Sequence, residues 1–429
     1  MATDAAPAAA RTPVLWFFAL VAGVLAAVAT SGFRALIAGV EWFSTGRTGS
    51  LVEAARHLAP GHRVLIGAAG GLLAGLVLMW GRRWAARGPQ GTEHLDYIEA
   101  AREGVVDLNN RTTVVRSLSA LLSVGTGASI GREGAMVQLS AWFGALLAKV
   151  APLSQEQRDV ILVCGIAAGI GSAYHAPVAG VVFVLELAIG FLSAQMIAPV
   201  MIASATAGLL NYGIDPAPLY ATPVIQLVPA SLSMALVVGV VCGGVGWAML
   251  ALVDWFRAAF GRIGSLPLRL GLGGLLVGSL SAFVPEVWGN GYSTISHLLQ
   301  GQILWPWVAV ILVTKFAATL LSTGSGAIGG MFTPTLFVGA TTGFSLAEFA
   351  SYWLPPEWVT DPRTLAVVGM SAMLSAVTHA PLMAIVMVLE MTNQFQLTVP
   401  VMLACGVAHA ISTGFGTKPM YGNPIEVRH

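Results

Sequence analysis

Residues 123–138 read SVGTGASIGREGAMVQ, and residues 322–335 read STGSGAIGGMFTPT. Both are glycine-rich breaks inside apolar stretches, and Ile130–Gly134 in the first aligns with Ile328–Phe332 in the second, 198 residues later. Helix breaks at membrane depth are tolerated only where the backbone is buried in protein or lines a wet cavity. The breaks therefore predict several short, discontinuous helices and not a row of simple membrane spans.

A second pair of segments repeats downstream in the same order. GIAAGIGSAYHAPVAGVVFVLEL begins at Gly165 and GMSAMLSAVTHAPLMAIVMVLEM begins 204 residues later, so that His175 matches His379 and Glu186 matches Glu390. Chance could supply either match, but hardly both in one order. A two-fold repeat with broken helices at corresponding positions is typical of transporters, whose binding site lies at the repeat interface near the membrane midplane.

The composition limits the class of protein. Of the 429 residues, 10% are charged and 56% are hydrophobic, and the mean hydropathy is +0.78. A soluble domain carries roughly 25% charged residues, so this chain has too little charge to cover a water-facing surface. These figures exclude a soluble enzyme, a disordered chain and a nucleic-acid binder, and a net charge of +1 gives no field for polyanions. Membrane character alone does not explain why the chain contains 50 glycines.

Apolar runs of roughly 20 residues are long enough to cross a bilayer. A signal peptide is the alternative for the first run, but that run is long for one and the membrane character continues after it. Ionisable groups are nearly absent from three further stretches, and isolated charges at membrane depth are candidates for function. The alternative is that these residues only hold helix ends in register. The runs are Thr12–Phe33, Ile66–Trp80, Pro229–Val253 and Phe316–Ala347, and the isolated charges are Arg132, Glu133, Glu186 and Glu390.

The glycine breaks have the character of an anion site. A loop that leads into a helix exposes unpaired N–H groups at the positive end of the helix dipole, and Pro334 suits a first helical turn. Two such ends from two repeats would hold a small anion through partial charges, weakly enough for it to pass. Glu133 could then take the anion's place when ionised and swing clear when protonated, with Gly131 and Gly134 leaving room. The alternative for Glu133 is an ion pair with Arg132.

Other classes of function find weaker support. Gly324-x-Gly326-x-x-Gly329 formally matches a dinucleotide fingerprint, but a membrane-like run precedes it and no acidic partner follows about 20 residues on. We therefore expect no nucleotide-binding domain. An intramembrane enzyme would need a nucleophile and a base, and no spacing unites Ser129 with His175. The cysteines lie in apolar runs without C-x-x-C spacing, so we expect buried side chains, no disulfides and no metal site (Cys164, Cys242 and Cys405).

Three ordered motifs resemble the CLC family of chloride channels and proton-coupled chloride antiporters. Gly131–Gly134 resembles its second signature, G-R-E-G-P, with Ala135 in place of the proline. Gly329–Pro334 resembles its third, G-G-x-F-x-P, and Lys418–Tyr421 resembles the segment K-P-x-Y. The match runs from about Thr12 to Tyr421. The combination of GREGAM, WGNGYST and THAP is most similar to the bacterial ClcB branch.

The resemblance implies an all-α polytopic membrane protein with two inverted-topology repeats and many tilted and broken helices. Its transmembrane domain would span residues 13–421, with repeat one at roughly 13–228 and repeat two at roughly 229–421. Short tails at 1–12 and 422–429 would flank it, without a soluble regulatory domain. The family also implies a homodimer with one pore per subunit, here expected in the lipid bilayer of a bacterial inner membrane with cytoplasmic termini.

The resemblance assigns roles to individual residues. Glu133 would be the gate, and Arg132 and Gly134 would shape the outer anion site. Chloride is the expected bound ion, without any other cofactor. The remaining chloride ligands would come from the third signature, through the amides of Met331 and Phe332 next to Gly330, and from the hydroxyl of Tyr421.

Two departures from the family pattern bear on ion selectivity and coupling. The first signature, G-S-G-I-P-E, is missing, and Thr92 within Gly91–Asp96 is the candidate for the serine hydroxyl, which leaves a fluoride or other anion specialist open. The family's antiporters carry an E-E pair on the inner proton path, which here reads Glu186-Leu187. A leucine cannot carry a proton, so the sequence favours passive conduction. Glu186 remains the candidate for a proton path, and chloride/proton antiport remains the alternative.

Overall fold

The computed structural model describes residues 12–87, 96–103, 108–189, 194–214, 217–223, 228–355 and 358–422. Over these ranges the chain is almost wholly helical. The helices of the first half are α1 Thr12–Thr45, α2 Leu51–His57, α3 Pro60–Ala85, α4 Tyr97–Glu103, α5 Asn110–Gly125, α6 Glu133–Val150, α7 Gln155–Tyr174, α8 Pro177–Phe183, continued by the π-helix Val184–Ile189, and α9 Ala194–Ile214. Those of the second half are α10 Ala230–Gly261, α11 Leu266–Phe283, α12 Tyr292–Leu299, α13 Trp307–Ser325, α14 Phe332–Ser351, α15 Pro362–Thr378, α16 Pro381–Thr392 and α17 Thr398–Gly414.

The last five helices of each half follow the same order. Helices α5–α9 correspond one by one to α13–α17, and the repeat boundary predicted at 228/229 lies between α9 and α10. The glycine breaks separate α5 from α6 and α13 from α14, so the uncharged run Phe316–Ala347 belongs to two helices and not to one. The prediction of discontinuous helices is confirmed within the described ranges.

Seven helices of the described ranges are long and apolar enough to cross a membrane. Two further apolar helices are shorter, Pro177–Leu187 and Pro381–Thr392. At about 1.5 Å per residue they cannot span a hydrocarbon core of about 30 Å, so they end inside it. The seven candidates are Pro13–Thr45, Pro60–Ala85, Met196–Gly213, Ala230–Gly261, Leu266–Phe283, Trp307–Ser325 and Phe395–Gly414.

The H-A-P sequences explain where the short helices begin. His175 and His379 end α7 and α15 in the left-handed region, with φ of 54° and 57°. The alanine that follows each histidine is non-helical, because the next residue is a proline and disfavours the α region before it. Each proline then starts the new helix, where its missing N–H is no loss. The histidines therefore hold helix ends, as the structural alternative proposed.

Glu186 and Glu390 join the halves by a reciprocal exchange. The carboxylate of Glu186 accepts hydrogen bonds from the N–H groups of Leu382 and Met383 at 3.2 and 2.7 Å. The carboxylate of Glu390 accepts hydrogen bonds from the N–H groups at the start of α8 at 3.1 and 2.7 Å. Each half thus satisfies the exposed amides of the other half's short helix. Such reciprocity is the mark of a local two-fold axis.

Close helix packing accounts for much of the glycine excess. A Cβ added to Gly67 of α3 would stand 2.6 Å from the carbonyl oxygen of Gly274 of α11, and one on Gly274 would collide with Gly67 in turn. Gly339 and Gly369 make the same mutual approach between α14 and α15. Small residues at helix interfaces let membrane helices approach closely. All three cysteines are buried and free, as expected.

Candidate functional site

The two glycine breaks meet at one point of the structure. The N–H of Gly131 donates to the carbonyl oxygen of Gly330 at 2.6 Å, and the N–H of Gly330 donates to that of Gly131 at 2.8 Å. Helix α6 begins two residues after Gly131, and α14 begins two residues after Gly330. The first N–H groups of both helices lack acceptors within the helix and carry the positive dipole end. The convergence of two positive helix ends is therefore as predicted.

A cavity of about 130 Å³ adjoins the bridged glycines. It brings together three of the predicted anion-binding residues, Gly134, Gly330 and Tyr421. A water molecule takes about 30 Å³ in the liquid, so a hydrated small anion fits. Further lining residues are Asp96, Tyr97, Arg116, Ser117, Ala135, Gln138, Ile328 and Gly329.

Arg116 corrects one part of the sequence argument. That argument required only partial charges around the anion, whereas this arginine lines the same cavity as the helix ends. Asp96 lines it as well and brings a negative charge to the same wall. The cavity is therefore a mixed environment, with helix dipoles, hydroxyl groups and one full charge of each sign.

Tyr421 is fixed from several directions after the chain leaves α17. Arg102 donates from Nη1 to the carbonyl oxygen of Tyr421 at 3.0 Å, and from Nε and Nη2 to that of Leu187 at 3.1 and 2.8 Å. The Tyr421 ring packs edge-on against Phe183 with centroids 5.7 Å apart. Its hydroxyl is hydrogen-bonded to that of Tyr97. Both the backbone and the side chain of Tyr421 are thus held by residues of the first half.

Glu133 is the first residue of α6 and is buried, with 5% of its surface exposed. Its Oε1 accepts a hydrogen bond from Nδ2 of Asn290 at 2.8 Å. Its Oε2 is buried without a hydrogen-bond partner among the described residues. That oxygen lies against the backbone of Gly131, where any Cβ would collide with it. The absence of a side chain at Gly131 therefore leaves the space that this carboxylate occupies.

Glu133, Glu186 and Glu390 differ in how firmly their carboxylates are held. Glu186 and Glu390 each accept two backbone hydrogen bonds. Glu133 accepts one hydrogen bond, and that one comes from a side chain. Since an unpaired buried carboxylate oxygen costs free energy, Glu133 is the glutamate that gains most from leaving its position.

The remaining predicted residues stand around this centre. Arg132 occupies the position before α6 without a side-chain capping hydrogen bond, and it lies within electrostatic range of Glu41. The ion pairs of the described ranges do not include Arg132 with Glu133, so that alternative finds no support. Met331 and Phe332 begin α14 beside Gly330, with side chains buried in the core and outside the lining of the cavity.

One predicted residue, Glu186, lies apart from the cavity. Glu186 stands at the start of α16, where it caps that helix. Thr92 falls outside the described residues, so the replacement for the first-signature serine stays a prediction.

The described residues do not form a site for either alternative function, an intramembrane enzyme or a nucleotide-binding domain. The Ser129 hydroxyl is 3.2 Å from that of Thr319, and its N–H donates to the Ser322 hydroxyl. Ser129 thus ties the two breaks together, while His175 ends α7. The dinucleotide-like glycines connect helix α13 to helix α14, whereas the fingerprint requires a strand before it.

Sequence reasoning missed two residues that bear on the position of Glu133. Asn290 lies in WGNGYST, a stretch that served only to indicate a branch of the family, although an asparagine between two glycines predicts a tight turn. Lys315 stands immediately before the uncharged run at Phe316 and is fully buried. Its Nζ donates to the carbonyl oxygens of Val287 and Gly289 at 2.9 and 2.6 Å. An isolated lysine in an apolar helix was the available signal.

Comparison with known proteins places the chain in a family. The sequence profile described as voltage gated chloride channel matches residues 70–413. The chain belongs to this family, the CLC family. It is 44% identical over 415 residues to a putative chloride channel protein ClcB-like from Ralstonia nicotianae, covering 94% of both chains. It is 39% identical over 410 residues to the voltage-gated ClC-type chloride channel ClcB of Escherichia coli O81, covering 94% of this chain and 96% of that one. The resemblance to the ClcB branch is confirmed.

Solved structures share the fold. A slow cyanobacterial Cl⁻/H⁺ antiporter superposes with a TM-score of 0.82 at 22% identity, covering 95% of this chain and 96% of its own. A CLC-type fluoride/proton antiporter superposes with a TM-score of 0.77 at 23% identity, covering 94% and 95%. The fold is therefore the predicted one, an all-α polytopic membrane protein with two inverted-topology repeats.

Proposed function

We propose that this protein moves chloride across a bacterial inner membrane by passive conduction through a pore that Glu133 gates. Each subunit of a homodimer would carry one pore, with both termini in the cytoplasm. The observation that carries the proposal is the position of Glu133 between two converging helix starts, held by a single hydrogen bond beside a polar cavity. Support for chloride comes from the relatives, which are named chloride channels.

The proposed mechanism is a competition between a carboxylate and an anion for one electropositive position. Ionised Glu133 is attracted to the positive starts of α6 and α14 and blocks the path. Protonation removes its charge, so the attraction falls and a chloride ion entering from the cavity takes the vacated place. Partial charges of N–H and hydroxyl groups bind the ion weakly enough for release. Met331, Phe332 and Gly330 would supply amides at the α14 start, and Arg132 would shape the outer approach.

Passive conduction is favoured over antiport by the residues beside Glu186. Leu187 is 4% exposed and carries no exchangeable proton. Both oxygens of Glu186 are engaged by the start of α16. Chloride/proton antiport is the second candidate, with Glu186 or water as the inner proton carrier. A fluoride or other anion specialist is the third, because the first signature is absent from Gly91–Asp96.

The deciding experiment is chloride flux from proteoliposomes with simultaneous recording of protons. Passive conduction predicts chloride efflux without stoichiometric proton movement against its gradient. Uphill proton transport driven by a chloride gradient would show that the protein is an antiporter and not a channel. Parallel assays with fluoride in place of chloride decide the selectivity, and a markedly faster fluoride flux would favour the third candidate.

Tyr421→Ala is expected to weaken chloride binding roughly tenfold, the size of one hydrogen bond to a charged ligand. The reason is that its hydroxyl lies at the cavity next to Tyr97. Calorimetric titration of chloride into the detergent-solubilised protein measures the change. Tyr352→Ala is the matched control, since that tyrosine is 68% exposed. An isotherm unaltered in Tyr421→Ala would remove this hydroxyl from the site.

A further inference from the structure

The contact between Asn290 and Glu133 comes from outside both glycine breaks. Asn290 precedes α12, and its Nδ2 donates to Oε1 of Glu133 at 2.8 Å. Its own Oδ1 accepts a hydrogen bond from the N–H of Tyr292 at 3.1 Å. Because this second bond occupies the amide oxygen, the amide nitrogen is the atom that faces the carboxylate. Asn290 is thereby oriented as a donor before it meets the gate.

The loop that carries Asn290 is anchored on the side away from Glu133. Lys315 donates to two carbonyl oxygens of this loop, those of Val287 and Gly289. Trp288 is fully buried, and a Cβ on Gly127 would stand 2.6 Å from its ring. These contacts fix the backbone on the N-terminal side of Asn290.

The C-terminal side of the same loop is equally constrained. Gly291 has a φ of 95°, a conformation that favours glycine, and a Cβ there would stand 2.5 Å from the ring of Phe337. Lys315 also lies 5.5 Å from the centroid of that ring. Asn290 is thus presented by a rigid support to a carboxylate that has no other hydrogen-bond partner in the described residues.

We propose that Asn290 is the latch of the gate: a positioning residue that holds Glu133 in the blocking position and so sets the pH at which the pore opens. The proposal rests on the gating role given to Glu133 above. A neutral amide donor binds an ionised carboxylate more strongly than a protonated one. The latch therefore stabilises the blocked, ionised state, and its loss favours opening at a higher pH.

The other groups around Glu133 do not supply this latch. Among the described residues, the buried tyrosines Tyr174, Tyr220 and Tyr421, from three separate segments, lie within electrostatic range of Glu133. Arg132, the neighbouring residue in sequence, lies near Glu41 on α1. The substitution of Asn290 leaves all of these groups in place. A change in the pH dependence of flux would therefore result from the loss of the amide donor.

The test measures the pH at half-maximal chloride flux in proteoliposomes. Asn290→Ala is expected to raise this midpoint by about one pH unit, the size expected for one charge-assisted hydrogen bond. Asn290→Asp keeps the side-chain shape and places a second carboxylate beside the gate. It is expected to raise the midpoint at least as far. Ser293→Ala, next to the same loop, is the control and should keep the wild-type midpoint.

A double variant separates the latch from the gate. In a Glu133→Ala background, Asn290→Ala should produce no additional change in the flux profile, because the two residues act as one unit. If Asn290→Ala and Asn290→Asp both keep the wild-type midpoint while Glu133→Ala loses pH dependence, the latch is refuted and the gate stands. If Glu133→Ala itself keeps its pH dependence, the proposed gate fails. An additional change in the double variant would place the action of Asn290 elsewhere and overturn the latch.

Discussion

Chloride flux through the Glu133→Ala variant is expected to persist and to lose its dependence on pH. The substitution removes the carboxylate at the start of α6, beside the Gly131–Gly330 bridge, so protonation no longer displaces the proposed blocking group. If the ionised side chain blocks about nine pores in ten at neutral pH, the variant should conduct about tenfold faster there. The measurement is initial chloride efflux from proteoliposomes at a series of pH values.

The control for this experiment is the carboxylate that caps a helix. Glu390→Gln retains an acceptor for the start of α8 and lies away from the cavity lining, so its flux should keep the wild-type pH dependence. A Glu133→Ala profile that matches wild type would exclude this side chain as the gate.

Lys315→Met is expected to destabilise the protein by about 2 kcal/mol. The lysine is fully buried and donates to the carbonyl oxygens of Val287 and Gly289. Each buried carbonyl oxygen that is left unpaired costs about 1–3 kcal/mol. Part of this cost is offset because the variant no longer buries a charged group. Tryptophan fluorescence during thermal unfolding in detergent should show a midpoint several degrees lower.

The same substitution should also change the pH dependence of chloride flux. With Lys315 gone, the loop that presents Asn290 loses its anchor, so the flux midpoint should shift toward higher pH as in Asn290→Ala. Lys149→Met, at the exposed end of α6, is the control for removing a lysine charge. Wild-type stability in Lys315→Met would mean that the two carbonyl groups find other donors.

The sequence predicted the centre of the site because its signals are local. Glycines, a proline and a lone glutamate within Ser123–Gln138 and Ser322–Thr335 are visible without any knowledge of the fold. The repeat then placed the two breaks together, and the Gly131–Gly330 bridge shows that they meet. Tyr421 came from the family resemblance and not from its own surroundings.

The residues that sequence reasoning missed are brought to the site by tertiary packing alone. Asn290 is 157 positions from Glu133 along the chain. Arg116 lines the cavity from the middle of α5. From the sequence alone, its charge could equally have indicated the end of a helix. No periodicity encodes which neighbouring helix a lone polar side chain will meet. The roles of Glu186 and Glu390 were left open for the same reason, since a cap across the repeat requires knowing the partner helix.

The reciprocal bonds between the halves have a mechanical consequence. Six reciprocal hydrogen bonds of the described residues join the two halves: two between the bridged glycines and four that Glu186 and Glu390 accept. Alternating access by rocking one repeat against the other is a common solution among transporters built from repeats. Here such rocking would break these bonds together, and each donor and acceptor would then need a new partner. A frame that resists motion between the halves agrees with the proposed function, in which an ion passes when the side chain of Glu133 alone is displaced.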